Sequence, residues 1–195
     1  MILWIDEAVC CLLGIVYLGI CIDRAVSSSA KYHQTAMALR LIEQLERLLD
    51  ALAQEKIEYA LCGGIAVNIH GHVRTTQDID VLVQEKDLSR VMPLLQRLNF
   101  TFTSGRVPFQ AGTAEERKLY RATQIESKDV LTVDVLIVTP ILEDVWESRQ
   151  VFAWLDRAVT VVSLEGLTKM KLMAGRHQDL ADLENLGIEF GDEDQ

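Results

Sequence analysis

The stretch Arg74-Thr75-Thr76-Gln77-Asp78-Ile79-Asp80-Val81-Leu82-Val83 decides the fold. Ile79 to Val83 is a short run of branched and aliphatic residues, which predicts a strand. Side chains alternate across a strand, so Asp78 and Asp80 share one side and Ile79 takes the other. Neighbouring carboxylates repel each other, and a divalent cation between them removes that cost. Hard cations such as magnesium take oxygen ligands of this kind. The plainer alternative has Asp78 capping a turn and Asp80 as an exposed charge at a strand edge.

Just upstream, Ile57 to Cys62 reads as a short strand, and Gly63-Gly64 breaks it. Ile65 to Ile69 then reads as a short helix closed by Gly71. A double glycine between strand and helix lets the backbone approach a ligand, and outward-facing amides there can bind phosphate. An ordinary tight turn is the competing reading. Downstream, Leu131 to Val138 is the strongest strand of the chain, Leu-Thr-Val-Asp-Val-Leu-Ile-Val. Asp134 sits in the middle of it. A buried carboxylate needs a cationic partner. Either a metal shared with Asp78 and Asp80 or an Arg or Lys from a helix would serve.

The remaining segments supply the layers. Met37 to Gln54 has leucines at three- and four-residue steps, which predicts an amphipathic helix. Leu88 to Leu98 reads as a second, with Pro93 suited to its first turn. Phe100 to Thr103, Leu119 to Ile125 and Ala158 to Val162 read as strands. Ser163 can cap a helix running to Ala174. Gly175 interrupts, and Asp179 to Leu186 reads as the last helix. This order predicts an α/β fold: a mixed β-sheet with flanking helices and a C-terminal helical segment.

Composition narrows the class. The chain has 195 residues, 49% hydrophobic and 25% charged, with a formal net charge of -10. Such an acidic surface does not attract DNA or RNA without sequence preference, because phosphate neutralisation needs surplus cations. None of the four cysteines, Cys10, Cys11, Cys21 and Cys62, forms a CxxC pair, so the reading is a reducing, cytoplasmic compartment. The four histidines do not cluster. Ala8 to Ile22 is almost wholly apolar but short of the roughly 20 residues a spanning helix needs. Its acidic leading flank does not suit a signal peptide. A short membrane anchor, an extra packed helix and an extension without a role all stay open for it. The expected organisation is an N-terminal extension over residues 1–36, one domain over 37–187 and an acidic tail over 188–195.

Cys62-Gly63-Gly64, then Arg74-x-Thr76-x-Asp78-Ile79-Asp80, then a lone Asp134 in an apolar strand together form a narrow pattern. It resembles the nucleotidyltransferases of the DNA polymerase beta superfamily. The C-terminal run from Leu167 to Leu183, with Lys169-Met170-Lys171 and Arg176-His177-Gln178-Asp179, resembles the branch of abortive-infection toxin nucleotidyltransferases. The resemblance covers roughly Met37 to Leu186. It implies that Gly63 and Gly64 cradle nucleotide phosphates and that Asp78 and Asp80 hold two Mg2+ ions. It implies that Asp134 completes a metal site and helps deprotonate the acceptor hydroxyl. Arg74 and Thr76 match the residues before the carboxylate pair, Lys171 a lysine near the nucleotide, and Asp179 the acid of the closing motif. Two positions depart: Gly64 where many members carry Ser, and Gln178 where the branch often has Lys.

The activity so implied moves a nucleoside monophosphate from a nucleoside triphosphate to an acceptor hydroxyl, with RNA or protein as acceptor candidates. The alternative is a catalytically silent nucleotide-binding or antitoxin-like module, whose acidic surface would suit a basic protein partner. A membrane partner is not expected. On the enzyme reading, Asp78, Asp80 and Asp134 converge on one cleft shared with Gly63-Gly64 and Lys171, and at least one carboxylate has a raised pKa.

Overall fold

The computed structural model describes residues 28–109, 113, 116–126, 129–154 and 156–189. The apolar run Ala8 to Ile22, with Cys10, Cys11 and Cys21, lies outside these residues, as does the tail from Phe190. Among the described residues no helix is long and apolar enough to cross a membrane.

Seven strands form one mixed sheet in the order β3-β4-β5-β2-β1-β7-β6. They are β1 (Ala60–Leu61), β2 (Asp78–Val83), β3 (Phe102–Phe109), β4 (Arg117–Glu126), β5 (Asp129–Ile137), β6 (Gln150–Trp154) and β7 (Arg157–Val161). The helices are α1 (Ser28–Gln54), α2 (Gly63–Ile69), α3 (Leu88–Arg97), α4 (Glu143–Glu147), α5 (Leu164–Ala174) and α6 (His177–Asn185). This is the expected α/β architecture with a mixed sheet and a C-terminal helical pair.

At the sheet's centre β2 runs parallel to β5 and antiparallel to β1. Those strands carry the core. Ile79, Val81, Val133, Val135 and Ile137 are fully buried or nearly so. On α1, Leu41, Leu45, Leu48 and Leu52 repeat at helical spacing and are buried, while Leu39 faces solvent. The helix packs against α3 and β2.

Several elements depart from the sequence-based expectation. The first helix begins at Ser28, upstream of the expected start at Met37. Pro93 lies inside α3, not at its first turn. Val91, Leu94 and Leu95 are buried around it, and their packing offsets the lost backbone hydrogen bond. Strand β3 continues past Thr103 through Ser104-Gly105-Arg106, because the register shifts there and Gly105 takes φ 71°. Edge strand β6 has no counterpart in the sequence reading. It is mostly solvent-facing, so it lacks the apolar alternation that announces a strand.

The cap at Ser163 stands as expected. Its hydroxyl accepts from the Gly166 amide at 3.1 Å and starts α5, which carries residues of the cleft described below. Ser163→Ala should lower the unfolding free energy by about 1 kcal/mol. Urea denaturation checks it, as a lower midpoint at unchanged slope.

Candidate active site

The parallel pairing of β2 with β5 sets Asp80 beside Asp134 in register. Asp78, two residues earlier in β2, points to the same side. One carboxylate oxygen from each of Asp78, Asp80 and Asp134 lies within 4.8 Å of the others. Asp134 is 5% exposed; Asp78 and Asp80 are half-buried.

Each acid is held differently. Thr76 Oγ1 donates to Asp78 Oδ1 at 2.9 Å. Arg121 donates from Nε to Asp134 Oδ1 at 2.8 Å and from Nη2 to Oδ2 at 2.6 Å. The partner of Asp134 is therefore a strand residue directly opposite it on β4, not an Arg or Lys from a helix. Asp80 lies against the backbone of Gly63, where an added Cβ would come 1.8 Å from Oδ2. Burial, then the charges of Asp78 and Asp134, push the Asp80 carboxyl up to about 7. The expected raised carboxylate is thus Asp80. Burial also raises the Cys62 thiol well above its usual range, with the neighbouring aspartates adding to it.

The double glycine is not a turn before the helix but the first turn of α2 itself. Its lack of side chains has a local cause as well as any ligand-related one. Gly63 at φ 59° makes room for Asp80, and a Cβ on Gly64 would meet Thr76 Oγ1 at 2.5 Å. His70, at the end of α2, donates from Nε2 to the Val162 carbonyl at 2.9 Å and lies edge-on to Phe152, a packing role.

The C-terminal helices bring a second charged cluster to the same cleft. Lys171, buried on α5, donates to Asp179 at 3.0 Å and to Asp182 at 2.6 Å. Arg176, three residues before Asp179, donates to its Oδ2 at 2.6 Å, and the acid is buried. Burial works upward on the Asp179 carboxyl, but hydrogen bonds from Arg176 and Lys171 outweigh it and hold it below the usual range. Asp182, 1% exposed, also pairs with Arg74 Nε at 2.8 Å. Sequence reasoning missed Asp182. Its signal was the i, i+3 spacing from Asp179, which puts both acids on one helix face.

These side chains surround a cleft of about 610 Å³. Asp78, Asp80, Asp134, Gly63, Gly64, Arg74, Lys171 and Asp179 all line it, with Leu136, Leu142, Leu167, Met170 and Met173 as an apolar wall. Thr76 stands behind Asp78, outside that lining. An oxygen-rich, anionic floor lies beside an apolar wall, with Arg117, Lys118, Arg121 and Arg176 among the lining cations.

A family-wide sequence model described as "Uncharacterised nucleotidyltransferase" matches residues 26–170. The chain belongs to this nucleotidyltransferase family. Its match ends before Lys171, so the cluster of Lys171, Arg176, Asp179 and Asp182 lies beyond the matched stretch. The chain is similar to TM1012 of Thermotoga maritima, solved as a candidate nucleotidyltransferase, with TM-score 0.51 and 18% identity over 74% of this chain and 91% of that one. It is also similar to the antibiotic-resistance factor ANT(2'')-Ia, with TM-score 0.53 and 13% identity over 80% of this chain and 87% of that one. A crystal structure of ANT(2'')-Ia in complex with adenylyl-2''-tobramycin aligns with TM-score 0.50 and 15% identity, over 76% and 87% of the two chains. At these identities the likeness shows a shared nucleotidyltransferase fold. No curated protein matches the chain.

The Asp80 shift has a measurable consequence. A carboxyl whose folded pKa is raised binds its proton more tightly when folded, so it costs stability as pH rises from about 4 through about 7. Metal-free Asp80→Asn should therefore melt higher than the unsubstituted chain, and by more at pH 8 than at pH 5. Calorimetry at both pH values checks the sign.

Proposed function

We propose that this chain is a divalent-metal-dependent nucleotidyltransferase that moves a nucleoside monophosphate from a nucleoside triphosphate to an acceptor hydroxyl. The observation carrying this reading is the trio of carboxylate oxygens within 4.8 Å on the floor of the cleft. The residues fit Mg2+. All three donors are hard carboxylate oxygens, and the charges of Asp78 and Asp134, which add to burial in raising Asp80, mark a site with excess negative charge. When bound, Mg2+ offsets charge on the triphosphate and on the attacking and leaving oxygens of an in-line displacement.

The chain's own groups do the rest. Asp78 and Asp80 would hold the cation. Asp134 completes the site and takes the acceptor hydroxyl's proton at a carboxylate oxygen. The acceptor oxygen bonds to the α-phosphorus, the bond to the bridging oxygen breaks, and pyrophosphate leaves. Gly63 and Gly64 offer backbone close to the phosphates. Arg74 supplies positive charge there, with Thr76 orienting Asp78 beside it. Lys171 and Asp179 fix α5 and α6 against the nucleotide; Lys171 acts through its two aspartates, because its ammonium is already engaged.

The C-terminal run supports the abortive-infection toxin branch and so a toxin–antitoxin setting. The net charge of -10 favours a compact acceptor or a protein over a long nucleic acid. The buried free thiol of Cys62 suits a reducing cytoplasm. The second reading, a silent nucleotide-binding or antitoxin-like module, draws on the Arg121 pair that occupies both Asp134 oxygens.

Incubation with Mg2+, each α-labelled nucleoside triphosphate and a mixed RNA and protein extract separates the two. The enzyme reading expects a labelled product that chelator abolishes. It also expects Asp80→Ala to lower the yield by more than about 100-fold, since even outer partners of metal ligands cost 10–100-fold. No product with any nucleotide, or a yield unchanged in Asp80→Ala, favours the silent module.

A further inference from the structure

Arg121 stands out among the cations of the cleft. It faces Asp134 directly across the antiparallel β4–β5 pair. Its guanidinium makes a two-pronged contact that takes both carboxylate oxygens, at 2.8 and 2.6 Å. One of those oxygens is the one that closes the carboxylate trio. The Asp134 side chain is 7% exposed and the Arg121 side chain 50% exposed. The acid is therefore fixed in the floor, while the base reaches in from the rim on a long stem with open solvent behind it.

Other cations nearby are engaged elsewhere: Lys118 with Glu85, and Lys171 with Asp179 and Asp182. Arg121 thus supplies the direct counter-charge to the third carboxylate. A guanidinium in that place takes one acceptor site on each oxygen, and its positive charge opposes a divalent ion beside it.

We propose that Arg121 is a tethered counterion that competes with the divalent cation for Asp134, so that the Arg121–Asp134 pair opens as the metal is taken up. The inference rests on the metal-dependent reading above. The pair lets three crowded carboxylates fold without metal, and it lowers the affinity for metal in exchange. An arginine that merely oriented Asp134 would have the opposite effect, because its loss would weaken the metal site. The sign of the change in metal affinity therefore decides between them.

The test is Mn2+ binding by the purified full chain, read by electron paramagnetic resonance of the free ion and by calorimetry. Arg121→Gln should bind Mn2+ at least about tenfold more tightly than the unsubstituted chain. It should also melt lower without metal and gain more in melting temperature on Mn2+ addition. Should Arg121→Gln not fold without metal, Arg121→Lys carries the same test. Its ammonium keeps the charge but lacks the planar two-pronged fork, so its affinity should fall between the two. Equal or weaker Mn2+ binding by the variants overturns the proposal. If binding also depends on Asp80, shown by loss in Asp80→Asn, the metal-dependent reading survives that result. No Mn2+ binding by any form overturns both.

Discussion

Like-charge repulsion at the junction of β2 and β5 is the constraint around which the site is organised. Two unit charges 4.8 Å apart cost about 3 kcal/mol at an effective dielectric near 20. Three such carboxylates cannot all stay ionised in a half-buried cleft without help. The chain answers three ways. Thr76 donates to Asp78, Arg121 neutralises Asp134, and Asp80 is left with a carboxyl pushed up to about 7. An arrangement so costly persists only if something else favours it, and the cation proposed for the three carboxylates would supply that reason.

A second group of charges ties the floor of the cleft to its far wall. Asp182 links Arg74, on the loop before β2, to Lys171 on α5. Asp179 links the same lysine to Arg176 on the turn into α6. Buried ion pairs of this kind add little net stability, but breaking one leaves a buried charge without a partner. Their effect is geometric: α5 and α6 stay in one position relative to Gly63-Gly64 and the carboxylates.

Much of this was readable from one chain because it depends on local rules. Alternation along a strand put Asp78 and Asp80 on one side, and the apolar neighbours of Asp134 marked it as a buried charge. The Ser163 cap and the helical periodicity of α1 and α3 are equally local. What was not readable depends on register and close approach. Nothing in Leu119 to Ile125 says that Arg121 lies opposite Asp134, since strand register is set by the whole sheet. Gly63 and Gly64 were read as a turn open to a ligand, yet each also stands where a side chain of the site comes closer than a Cβ allows. Asp182 was missed because its two cationic partners, Arg74 and Lys171, lie on other elements. Strand β6 gave no pattern because an exposed edge strand buries too little to need one.

The proposed chemistry depends on the carboxylate trio being a cation site. Crystals grown with Mn2+ and a non-hydrolysable nucleoside triphosphate test that by anomalous scattering. A manganese peak is expected at the carboxylates of Asp78 and Asp80, with Asp134 also reaching it, beside the triphosphate. A bound nucleotide with no manganese at those two aspartates, or manganese seated only elsewhere on the chain, would contradict it.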